Sequence, residues 1–103
     1  MAAMIARLWR GAAGNRADAE AYVRHVRANV APALKAIPGY RELRLLRREE
    51  GGRTEFLVMT LWDTMDAIHR FAGEDAEHAV VEPEARAVLA DCDDFVRHYE
   101  VEP

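Results

Sequence analysis

The chain has 103 residues, one domain's worth, and residues 1–103 read as a single unit. Half of it is apolar, 31% is charged and the formal net charge is −4, the profile of a globular domain. That excludes a disordered chain and argues against nucleic acid as a partner, because phosphate binding calls for a basic surface.

No apolar run approaches the roughly 20 residues that span a bilayer, so no membrane contact is expected. The start of the chain lacks the long apolar stretch of a signal peptide, and the lone Cys92 can form no internal disulfide. Both point to a reducing, cytoplasmic setting. A domain of this size buries roughly 65% of its unfolded surface, a thin core that dimerisation would supplement.

In chain order, Met4 to Arg10 reads as a strand that Gly11 and Gly14 bring to an end. Asn15 or Asp18 can cap the helix that follows, in which Ala19, Tyr22, Val23, Val26 and Val30 line one face. Pro32 is expected to break or restart this helix, since it lacks the donor of a continuing turn. Tyr40 to Glu50 and Thr54 to Trp62 read as two strands, with Gly51 and Gly52 supplying the positive φ angles of a tight hairpin. Phe56 to Leu61 is apolar nearly throughout, as in a strand covered on both faces.

Thr64 can cap a second helix whose buried stripe is Met65, Ile68, Phe71 and Ala72, with Gly73 closing it. Residues 74–81 suggest one loose turn. Pro83 opens a third helix with Ala85, Val88, Leu89 and Cys92 on its apolar side. Phe95 to Val101 forms the last strand. The order β-α-β-β-α-β with an antiparallel sheet is an α+β, ferredoxin-like split βαβ fold. One sheet face is covered by helices, and the other is apolar enough to call for a second copy of the chain.

Ile5 to Gly11, the turn Pro38, Gly39 and Tyr40, the unit Phe56 to Gly73 and the closing His98 to Val101 together resemble the antibiotic biosynthesis monooxygenase superfamily of small dimeric α+β barrels. The likeness covers essentially the whole chain. It implies a homodimer with a ligand cleft between sheet and helices. Some branches of that superfamily oxidise electron-rich aromatic or quinol-like substrates with neither metal nor flavin, and others bind and degrade haem. The haem branch uses an asparagine on the first strand, the strand-end tryptophan and a histidine in the helical region that follows. Trp62 matches the tryptophan. Ala6 and Val81 stand at the other two places, with His78 one helical turn earlier, so haem is disfavoured and no cofactor is expected.

Cofactor-free oxygenation asks the protein for a base, an oxyanion donor and an aromatic pocket. His98 is the first choice for the base, the alternative being a histidine satisfied in the core or at the interface. Arg7 and Arg10 are the candidate oxyanion donors, or else ion-pair partners of the acidic C-terminal segment. Trp62, Tyr22 and Phe71 are candidate pocket walls and could equally be packing. Trp9 could face the cavity or the dimer core, and His78 sits on a natural lid. His25 and His69 border apolar helix faces and read as surface or rim residues.

Glu74, His78 and Glu82 fall at i, i+4 and i+8, but Pro83 follows at once and no metal is expected. Cys92 reads as a buried small residue. The arginines 41, 44, 47, 48 and 53 and the acids near the chain's end are expected to neutralise each other across the sheet.

The reading is therefore a homodimeric, cytoplasmic monooxygenase acting on a small aromatic or polyketide-like compound. A non-catalytic ligand-binding or dimerisation module of the same fold is the alternative.

Overall fold

The hairpin of β2 (Tyr40–Glu50) and β3 (Arg53–Trp62) is the longest paired element of the structure, a computed structural model that describes residues 3–103. Gly51 and Gly52 join the strands at φ of 59° and 80°, the left-handed values that a two-residue hairpin turn asks of its central positions. β1 (Ile5–Ala13) runs antiparallel along β3, with Ile5 opposite Trp62 and Ala13 opposite Thr54. The far edge of β1 carries β5 (Arg97–Glu100) beside its start and the two-residue β4 (Asp91–Cys92) beside its end. The five-stranded sheet is antiparallel with β2, β3 and β1 in that order, so the chain adopts the expected ferredoxin-like α+β fold.

α1 (Arg16–His25) starts at Asn15, whose side chain accepts from the Asp18 N–H at 2.9 Å. The helix does not stop before Pro32. It passes through a π-helical turn, Val26–Val30, into α2 (Ala31–Lys35). There the Ala31 N–H reaches back five residues to the Val26 carbonyl. The widened turn lies just ahead of the proline and absorbs the missing donor and the ring, so a bulge replaces the expected break.

α3 (Met65–Ala72) is capped by Thr64, whose hydroxyl accepts from the Ala67 N–H at 3.1 Å. Gly73, at φ 82°, donates to the His69 carbonyl and ends the helix. α4 (Pro83–Val88) is shorter than expected. Leu89 turns extended, and Ala90 and Asp93 donate to the carbonyls of Ala12 and Arg10 at 2.8 and 2.9 Å. The unpaired edge of β1 thus captures the chain, and Cys92 lies in β4 opposite Gly11 rather than on a helix. The last strand is short for a similar reason. Phe95 bridges to His78 and the Val96 N–H donates to the Glu77 carbonyl, so only Arg97–Glu100 is left to pair with β1.

Side chains alternate across the sheet. Arg7, Trp9, Phe56, Thr60 and Trp62 face the helices, where the core divides into two clusters. One is built on Tyr22, Val23, Val26 and Phe56, the other on Leu34, Trp62, Ala67 and Ile68. On the opposite face Leu46, Leu57 and Tyr99 stand 49%, 39% and 48% exposed, a row of large apolar groups no helix covers. The central arginines pair with near neighbours, Arg41 with Asp63, Arg44 with Glu42 and Arg47 with Glu20, and the terminal acids Asp91 and Asp93 pair with Arg10 instead.

Gly39, at φ 94°, fixes where β2 begins, and its carbonyl accepts from the Asp63 N–H at 2.8 Å. A Cβ there would lie 2.5 Å from the Cβ of Ala67, whereas one at Gly51 would meet nothing within 4 Å. Gly39→Ala is expected to lower the unfolding free energy in urea by more than about 2 kcal/mol, from backbone strain plus overlap. Gly51→Ala should lose only about 1 kcal/mol, from strain alone.

Candidate active site

A cavity opens between the sheet and the helices where the two core clusters meet. It offers about 70 Å³ to the centre of a water-sized sphere, enough for about five waters. Its lining is mainly carbon, with Tyr22, Phe71 and Val81 among the walls and Arg7 in the sheet floor.

Arg7 is 5% exposed. Its Nη1 donates to the Ala76 carbonyl and, at 2.9 Å, to His98 Nε2; its Nη2 donates to the His78 carbonyl at 3.1 Å. The guanidinium carbon lies 5.7 Å from the centre of the Phe71 ring, a cation–π distance. No acid balances the charge: burial alone pulls the pKa down to about 10, and among the described residues no carboxylate forms an ion pair with it. At neutral pH the group therefore remains a cation, buried and held by neutral oxygens and an imidazole.

His98 lies behind Arg7, half-buried and outside the cavity lining. A guanidinium can only donate, so His98 Nε2 must accept and the ring proton sits on Nδ1. Its one lone pair is already engaged. Burial first, and the Arg7 charge second, lower its pKa below the ordinary 6.5. The expected base is thus placed as a support that orients Arg7.

The other expected residues divide in the same way. Tyr22 lines the cavity with its ring centre 4.8 Å from that of Phe56; burial, then the nearby Glu82 charge, raises its pKa and keeps the hydroxyl protonated. Phe71 is a wall, and Trp9 lines the cavity as well, its Nε1 donating to the Asp93 carbonyl at 2.7 Å. Trp62 is fully buried and stands behind the wall, stacked on Phe71 at 5.7 Å, with Nε1 donating to the Thr60 hydroxyl at 2.8 Å. Arg10 points to the opposite sheet face, one step out of phase with Arg7 and Trp9, and pairs with Glu55, Asp91 and Asp93 at 3.4 to 3.6 Å.

His78 turns its imidazole outward against Asp75 and the Phe95 ring, so only its carbonyl serves the site. Residues 74–82 are not helical, so Glu74, His78 and Glu82 do not align. Among the described residues no group of three His, Cys, Asp or Glu could hold a metal ion.

His25 and Glu82 are the residues that the sequence pattern hid. His25 is 9% exposed and lines the cavity. Its Nδ1 lies 3.1 Å from Asn29 Nδ2, while its Nε2 is buried with no hydrogen-bond partner among the described residues. The nearest carboxylate, Glu82 Oε2, is 3.8 Å away. The available signal was position: His25 follows Tyr22 by three residues, next to Val26 on the same buried side of the helix.

The family model described as Antibiotic biosynthesis monooxygenase matches residues 1–83. The chain belongs to this family. No curated protein matches it. A Caulobacter crescentus protein, provisionally described as an antibiotic biosynthesis monooxygenase, superposes with a TM-score of 0.71 at 19% identity over 99% of this chain and 92% of that one. SnoaB, a cofactor-independent oxygenase from Streptomyces nogalater, gives 0.66 at 17% identity over 99% and 96%. A heme-degrading protein from Mycobacterium tuberculosis gives 0.60 at 22% identity over 98% and 93%. At these identities the likeness establishes a shared fold.

Haem does not fit the residues of this family member. Ala6 is opposite Leu61 and Tyr99 in the sheet and outside the cavity lining, Val81 brings only carbon, and the His78 imidazole faces out.

The contact between Arg7 and His98 has a pH signature. A neutral His98 is favoured in the folded state, so its contribution to stability is complete above pH 6.5 and is lost as pH falls through its lowered folded value. The melting temperature is expected to drop between pH 7 and pH 5, and to drop less over that interval in His98→Gln, which keeps an acceptor for Arg7 but cannot titrate.

Proposed function

We propose that the protein is a homodimeric monooxygenase that oxidises a small, electron-rich hydroxyarene of polyketide type with dioxygen, in the cytoplasm, using neither metal nor flavin. The observation that carries this reading is Arg7, a buried cation on the floor of an aromatic-walled cavity with no acidic partner among the described residues. Such a charge is costly to bury alone and is stabilised when an anion binds beside it. A phenolate or enolate brings that anion together with a flat apolar body that suits Phe71, Tyr22 and Trp9.

The chemistry then needs little more from the protein. Loss of the hydroxyl proton makes the ring electron-rich enough to pass electrons to dioxygen, and the carbon–oxygen bond that forms leaves a peroxide. Loss of water from that peroxide leaves a carbonyl. The sum is one hydroxyarene plus dioxygen giving one quinone plus water, with every electron drawn from the substrate. Arg7 would stabilise the oxyanion throughout. Membership of the family supports the reaction class, and the fold shared with an oxygenase described as cofactor-independent supports the absence of a cofactor. His98 would hold Arg7 in register, Trp62 would back Phe71, and His78 would lend its carbonyl.

The reading is tested by oxygen uptake with a naphthalene diol carrying one hydroxyl on each ring, whose product, juglone, is coloured. Arg7→Met should lose about 100-fold or more in rate, the usual cost of removing an oxyanion donor, and Arg7→Lys should lose less. Binding of the diol by the unmodified protein without oxygen uptake would leave a ligand-binding module in place of an enzyme.

The uncovered sheet face supports the dimer. Leu46 is opposite Leu57 and Met59 is opposite Leu8, so apolar pairs span β2–β3 and β3–β1, with Arg10 and Arg44 completing those two rows. A second copy meeting this face about a two-fold axis would bury it on both chains. Leu46→Glu with Leu57→Glu is expected to convert a dimer to a monomer in sedimentation velocity; an unchanged sedimentation coefficient would place the interface elsewhere.

A further inference from the structure

We infer that His25 is the base that takes the hydroxyl proton of the substrate, with Glu82 stabilising the imidazolium that results. The inference rests on the reading of the cavity as the site of hydroxyarene oxidation and names a proton acceptor within it.

In three of the four histidines one ring nitrogen is engaged away from the cavity, and none of the three lines it. His98 Nε2 accepts from Arg7, His78 Nδ1 pairs with Asp75 outside the cavity, and His69 Nδ1 bonds the Gly73 carbonyl on the exposed side of α3. His25 alone of the four lines the cavity, and its Nε2 is buried with no partner among the described residues. A buried polar atom left in this state costs about 1–3 kcal/mol, a penalty that a ligand oxygen beside it would remove.

The neighbours suit a base. Asn29 is 3.1 Å from Nδ1, and its amide can meet the ring in either sense. With its oxygen toward the ring, Nδ1 donates to Asn29 Oδ1, which leaves the lone pair on Nε2. The cavity that His25 lines is also lined by Glu82, Tyr22 and Arg7, and by Thr60, whose hydroxyl accepts from Trp62 Nε1. The Glu82 carboxylate at 3.8 Å is too far for a hydrogen bond to the neutral ring, yet close enough to attract the charged one.

The step is balanced. The O–H bond breaks, its electron pair stays on oxygen, and an N–H bond forms at His25 Nε2. The cavity then holds two ion pairs, phenolate with Arg7 and imidazolium with Glu82, at unchanged net charge. When the peroxide breaks down, its carbon gives up the C–H hydrogen as a proton to the distal oxygen. The C–H electron pair forms the carbonyl as the O–O bond breaks, and the hydroxide released takes the proton from His25 and leaves as water.

The experiment compares the unmodified protein, His25→Ala and His25→Gln in oxygen uptake and juglone absorbance with the naphthalene diol. Thermal melts identify which variants are folded. Both substitutions are expected to lower kcat by about 100-fold with KM changed less than about threefold, as for a lost general base. Added imidazole should restore His25→Ala by about tenfold or more and leave His25→Gln unaffected, a response that a merely structural role would not show. A kcat within about threefold of the unmodified protein in either variant, or a folded His25→Ala that imidazole does not rescue, overturns the inference and leaves the proposed function standing. No oxygen uptake by the unmodified protein overturns both.

Discussion

The buried guanidinium of Arg7 ties together parts of the chain that are otherwise far apart. It extends from the first strand to the Ala76 and His78 carbonyls, in a segment without helix or strand, and to the imidazole of His98 on the last strand. Without these three acceptors a cation so deeply buried would not be tolerated. With them it organises the segment after α3, sets the tautomer of His98 and faces the cavity. Because all three partners are neutral, the positive charge is solvated but not cancelled. That separates this arginine from the exposed arginines, whose ion pairs with carboxylates contribute little.

The cavity exists because the helices cover the sheet in two groups. Tyr22 and Phe56 pack one cluster, Trp62 and Ile68 the other, and the seam between them runs past Arg7, Phe71 and His25. The π-helical turn just beyond His25 belongs to the same story. It carries the helix past Pro32 without a break, so Tyr22, His25 and Val30 on one side and Leu34 on the other all reach the seam. The opposite sheet face carries no helix, and its exposed leucines and Tyr99 give the domain a second apolar surface.

Much of the architecture was legible from local chemistry. The glycine pair at 51 and 52, the Thr64 cap and the Gly73 stop all act over a few residues, and the structure shows them as expected. The errors fall where a distant partner decided. Cys92 left its expected helix because the edge of β1 offered two carbonyls to the following chain, and the last strand shortened because Phe95 and Val96 found His78 and Glu77 first. Candidate residues followed the same rule. Arg7 and Arg10 are alike in type and three positions apart, but alternation sends one to the cavity and the other to an acidic cluster on the opposite face.

By itself the sequence determined the element order, the hairpin, the helix caps and the membership of an α+β family, because each depends on patterns read within a short window or along the whole chain. Only the tertiary structure decided which histidine matters and what Trp62 does. A strand-end tryptophan reads the same from sequence whether it lines a pocket or backs a wall, and Trp62 backs Phe71. A histidine at the margin of an apolar helix stripe reads as a rim residue until α4 and the Glu82 carboxylate close over it. Burial and hydrogen-bond satisfaction are properties of what surrounds a side chain, and for His25, His98 and Arg7 those surroundings include residues more than fifty positions away.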